Sequence, residues 1–97
     1  MKSRADYEKA LAVVGSVIRE WDPYCLLAHG APLDEFDAEI AKVVMHIPRI
    51  RSPQDAASAL STVFSHAFEA DLFLPEACAA QGEALYDSLS KAGLLHA

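Results

Sequence analysis

The stretch SRADYEKALAVVGSVIREWDP, residues 3–23, carries the period that decides the fold. Its apolar side chains fall at Tyr7, Ala10, Leu11, Val14, Val17, Ile18 and Trp21, the i, i+3, i+4, i+7 spacing of one helical stripe. Ser3 caps the start, with Asp6 at the third helical position. Asp22-Pro23 ends the helix, because the residue before a proline is pushed out of the α region. The same pair can open a new turn, with Asp22 as its cap and Pro23 at its first position. That predicts one short helical turn over residues 23–28, closed by Gly30, before Pro32 breaks the chain again.

The period recurs downstream. A second helix is predicted from Leu33 or Asp34 to His46, striped by Phe36, Ile40, Val43, Val44 and Ile47 and stopped by Pro48. Asp34, Glu35 and Asp37 fall in its first turn and Lys42 and His46 toward its other end, as the helix dipole prefers. Ser52-Pro53-Gln54-Asp55 is a cap, a first-turn proline and an acid in order, and starts a third helix reaching about Glu69. Its stripe is Ala56, Leu60, Val63, Phe64, Ala67 and Phe68. Residues 71–74 read as a turn, in which Leu72-Phe73-Leu74 plugs the end of the bundle. Pro75-Glu76 opens a fourth helix to about Lys91, with Cys78, Gln81 or Gly82, Leu85 and Leu89 inward and Gly93 as its C-terminal cap. Four amphipathic helices on mostly short connections make an all-α, antiparallel four-helix bundle with one extra short turn after the first helix.

Composition narrows the class. The 97 residues suit a single domain, 1–97, and 53% hydrophobic with 23% charged residues is not a disordered tail. No apolar run approaches the ~18–20 residues of a membrane helix. The charged start reads as lacking a signal peptide, which points to the cytoplasm. Fourteen acids against eight bases leave a net charge of −6, which argues against nucleic acid as a partner. Cys25 and Cys78 form no C-x-x-C pair and read as reduced, mostly buried thiols.

No nucleophile elbow, phosphate loop or dinucleotide fingerprint is present. From Glu20 to Glu39 there are six acids and no lysine or arginine. Solubility and dipole complementarity account for such a run, and so does a face for a basic partner. Glu35 and Glu39 are four apart and would share a helical face, which Asp22 reaches if its loop folds back. Such carboxylates, with His66 from the third helix, are the weak candidates for a divalent-metal site. His66-x-x-Glu69 reverses the order usual in bundle metal sites. Trp21 reads as a core or rim anchor, or as the anchor of an interface, together with Tyr24, Leu26 and Leu27.

Trp21-Asp22-Pro23, Gly30-Ala31-Pro32 and the run Asp34-Glu35-Phe36-Asp37 followed by Glu39-Ile40 resemble the YugE-like domain of unknown function. The similarity is clearest over residues 18–44. It implies a small helical fold in a bacterial cytoplasm and no known activity. It marks Trp21, Asp22, Pro23, Gly30, Pro32, Asp34, Glu35 and Asp37 as shared positions, which capping and turn formation alone would explain.

The leading functional expectation is a protein-binding module with no enzymatic activity and no cofactor. Trp21, Asp22, Tyr24, Asp34, Glu35, Asp37 and Glu39 would meet a basic protein partner, in the most concrete form a toxin held by an immunity-type inhibitor. The alternatives are a divalent-metal site on Asp22, Glu35, Glu39 and His66, and a structural or regulatory homo-oligomer.

Overall fold

A computed structural model describes residues 3–32, 34–68 and 73–95, apart from the Tyr24 side chain. Helix α1 spans Arg4–Trp21, α2 Asp37–Met45, α3 Pro53–Ala67 and α4 Ala79–Lys91. Short 3₁₀ turns cover Pro23–Cys25, Ile47–Arg49 and Pro75–Cys78. The described residues contain no strand.

The caps read from sequence are made as expected at two starts. The Ser3 hydroxyl accepts from the Asp6 amide, and the Ser52 hydroxyl from the Asp55 amide, each at 3.1 Å. The Asp55 carboxylate adds a second tie at the head of α3: its Oδ2 accepts from the Arg51 amide, one residue before the cap, at 2.9 Å. Gly93, at φ 72°, ends α4, with the Leu94 amide reaching back to the Leu89 carbonyl.

Consecutive helices run antiparallel around a ring. Arg19 near the end of α1 meets Asp37 at the start of α2. Phe36, just before α2, packs on Phe64 near the end of α3. Along α3 and the returning chain, Phe73 lies against Ser61 and Ser65 while Gly82 lies against Ala57. Grooves between α1 and α4 pair Trp21 with Ala80, and Ala12 with Lys91, which closes the ring.

The core draws on every helix: Val14 and Ile18 from α1, Ile40, Val43 and Val44 from α2, Leu60, Val63 and Phe64 from α3, Leu85 and Leu89 from α4. Phe64 is the hub of an aromatic cluster at one end, 5.0 Å from Trp21, 5.5 Å from Phe73 and 5.8 Å from Phe68 between ring centroids. Such pairs add about 0.5–1.5 kcal/mol each beyond their buried area.

Three expectations are corrected. Helix α2 begins at Asp37, not at Leu33 or Asp34; Leu33 lies outside the described residues. The amides of Glu35 and Asp37 instead close turns onto the Pro32 and Asp34 carbonyls, and Phe36, at φ −102° and ψ 12°, delivers a fully buried ring. Burying that ring outweighs an extra helical turn, since a phenyl group removed from water contributes about 1.5–3 kcal/mol. Helix α3 stops at Ala67 because Phe68 leaves the helix to join the aromatic cluster, and Glu69 lies outside the described residues. Of the two thiols only Cys78 is buried; Cys25 is exposed.

Candidate functional site

The corner where α1 ends and α2 begins is built by Asp22. Its φ of 48° and ψ of 64° place it in the left-handed region, where it ends α1 by donating its amide to the Ile18 carbonyl. Asp is one of the few side chains that tolerate this conformation. The turn aims its carboxylate back over the following loop, where Oδ1 accepts from the Leu27 amide at 2.8 Å and Oδ2 from the Ala28 amide at 3.0 Å. Asp22 therefore does not cap the 3₁₀ turn at Pro23–Cys25, the role the sequence suggested. It organises the whole loop, which Gly30 at φ 98° then closes, with the Ala31 amide on the Leu26 carbonyl.

Around this loop the acids spread outward. Glu20, Asp34, Glu35 and Asp37 are exposed and Glu39 is half-buried. Glu35 precedes α2, so it and Glu39 do not share a helical face as their spacing implied. The run of acids is also less free of cations than a count along the chain suggests. Arg19 reaches across to Asp37, with Nη2 3.2 Å from Oδ1. Gly15 makes room for this: a Cβ there would lie 2.6 Å from the Arg19 guanidinium.

Trp21 is half-buried between Phe64 and Phe73, the latter edge-on at 5.8 Å. It anchors the loop to the core, and Leu26 and Leu27 pack beside it. Its outer edge lines a groove of about 300 Å³ with Glu20 on α1 and Ala80, Gln81 and Ala84 on α4. The small residues of α4 were invisible as site residues in the sequence, because only the packing of α4 on α1 brings them beside Trp21. The Tyr24 side chain lies outside the description.

The metal candidates are not brought together. The Asp22 carboxylate faces its own loop, Glu35 is exposed before α2, and His66 is exposed near the end of α3. Among the described residues no three His, Cys, Asp or Glu side chains are grouped to hold a metal ion.

Ser61 and Ser65 have a role that their sequence positions did not reveal. Both hydroxyls donate to the Phe73 carbonyl, joined at 3.9 Å by the Cys78 thiol. They hold the chain returning from α3 so that the Phe73 ring, 5% exposed, plugs the bundle beneath Trp21. Leu74, beside it, is 47% exposed, and Leu72 lies outside the described residues. Burial pushes the pKa of the Cys78 thiol up.

A domain of unknown function, DUF1871, matches residues 13–87. That span runs from within α1 into α4 and takes in the whole Asp22 corner. The chain belongs to this family. Neither a curated protein nor a solved structure matches it. No helix among the described residues is long and apolar enough to cross a membrane.

Proposed function

We infer that the protein is a non-enzymatic binding module whose acidic corner docks a basic protein partner. The reading rests on one observation: four exposed carboxylates, Glu20, Asp34, Glu35 and Asp37, lie at the corner between α1 and α2, with Arg19 pairing Asp37, and Glu20 borders the groove edged by the half-buried Trp21. A tryptophan with one face in the core and one edge in a groove is rigid and costs little entropy to bury further. Such residues dominate interface energetics. Exposed carboxylates on the same corner of the protein would act on approach, where opposite charge accelerates and orients association more than it tightens it. An immunity-type inhibitor of a basic toxin is the concrete form of this reading. The YugE-like resemblance adds to this reading a small helical domain at work in a bacterial cytoplasm.

The test is capture of partners by the tagged protein from its native host at low and moderate salt, followed by kinetics with the purified partner. Asp34→Lys combined with Glu35→Lys should slow association at least about tenfold while leaving the fold intact, since both side chains are solvent-exposed. Unchanged association by the double variant would remove the acidic corner from the interface.

A further inference from the structure

At the opposite end of α2 lies a second cavity, of about 340 Å³, between the Ile47–Arg49 turn and α3. Its cationic side is Arg49, with His46 one turn earlier, and its anionic side is Asp55. Ser58 and Thr62 lie between and beyond, three and seven residues after Asp55 and so on the same face of α3. Ile50 and Ala59, 1% and 5% exposed, form an apolar floor.

The backbone fixes where both side chains start. Arg49 ends a 3₁₀ turn opened by Ile47 and Pro48, with its amide on the His46 carbonyl and Ile47 fixed in the core. Asp55 donates its amide to the Ser52 hydroxyl, and its Oδ2 accepts from the Arg51 amide, which leaves Oδ1 available. Yet the two do not pair. Among the described residues neither Arg49 nor Asp55 enters an ion pair, with each other or with any third group. Opposite charges that line one small cavity without touching are bridged best by a ligand carrying both complements.

We propose that this cavity binds a free amino acid as its zwitterion. The planar Arg49 guanidinium takes the carboxylate in the two-pronged geometry that arginine favours. Asp55 Oδ1 takes the ammonium, the Ser58 and Thr62 hydroxyls supply hydrogen bonds to either end, and a small side chain rests on Ile50 and Ala59. The volume is at the small end of the range for ligand pockets, which suits a molecule of this size. A simple anion fits less well, because Asp55 repels it. A simple cation fits less well, because Arg49 does. The site is independent of the acidic corner and does not rest on the partner proposed for it.

The test is a titration of the ¹⁵N-labelled full chain, followed by NMR, with each of the common L-amino acids to about 20 mM, alongside acetate, methylammonium and inorganic phosphate. At least one amino acid should give saturable shifts confined to residues 46–62. Acetate and methylammonium should each bind at least about tenfold more weakly, because each engages only one of the two charges. Arg49→Ala and Asp55→Asn should each weaken the amino acid by a similar factor; the asparagine keeps an oxygen for the Arg51 amide. The proposal is overturned if no amino acid saturates, if acetate or phosphate binds as well, or if binding survives Arg49→Ala. Arg49 is exposed, so that variant folds and decides the matter even where Asp55→Asn is destabilised.

Discussion

Gly82→Ala tests the packing of α3 against α4 at its tightest point. A Cβ at Gly82 would lie 2.7 Å from the Ala57 Cβ and amide nitrogen and 2.8 Å from its Cα. Carbon atoms rest about 3.5–4.0 Å apart, so the helices must separate by roughly 1 Å or α4 must bend. Overpacking of this kind costs about 1–3 kcal/mol. The alanine recovers at most about 1 kcal/mol of helix propensity, and less in a first turn such as this one. The net expectation is a loss of about 1–2 kcal/mol, which for a domain of this size lowers Tm by roughly 5–15 °C. Circular dichroism during thermal and urea unfolding reads it directly. Two of the three atoms met are backbone, so adding Ala57→Gly should not restore stability. Gly15→Ala is the contrast: its new methyl meets the far end of the Arg19 side chain and, at an ordinary 3.5 Å, Ile40 Cδ1, so displacing the partly solvated Arg19–Asp37 pair should cost no more than about 1 kcal/mol. A Gly82→Ala variant as stable as the parent, or one rescued by Ala57→Gly, would refute the close-approach argument.

Asp22→Ala should cost about 2–3 kcal/mol, because two amides lose a charge-assisted acceptor. Asp22→Gly should recover part of that loss by relieving the left-handed backbone, and urea titration of the pair separates the two effects. With a thiol reagent, Cys25 should react in the native protein and Cys78 only after unfolding. The raised pKa of Cys78 means the fold favours the neutral thiol. Its contribution to stability is therefore full below the unfolded value of about 8.5 and is lost as pH rises through the higher folded value. Urea midpoints measured across that range should fall more steeply for the parent than for Cys78→Ala. Asp37→Asn should cost less than about 1 kcal/mol, because the Arg19 pair is partly solvated, and the cost should fade in ~1 M salt.

The fold was legible wherever a local rule had one outcome. Ser3 and Ser52 each combine a capping hydroxyl with an acid three residues on, and both helices start where that pattern places them. The start of α2 was not legible. Three acids after Pro32 look like a first turn, and only the tertiary demand to bury Phe36 decides against it. Gly82 shared an inward position with Gln81 in the sequence, and only the packing on Ala57 shows that the glycine takes it. Arg19 stands just outside the acidic run and was counted apart from it, until antiparallel packing laid it on Asp37. The run of acids was therefore readable, but the cation laid against it was not. The cavity at Arg49 and Asp55 was not readable either, because it joins two segments that only the α2–α3 packing brings together.

The position of Trp21 turns the molecule into its own reporter. It is the single tryptophan in the chain, tilted against Phe64 and edge-on to Phe73 inside and edging a groove outside. Selective excitation therefore reads one place, the seam between core and surface. Unfolding shifts that emission to the red as water reaches both faces of the indole. A partner docked as proposed would shift it to the blue, as the last wet edge is covered. Stability and recognition can thus be followed in one unlabelled sample by the direction of a single spectral change.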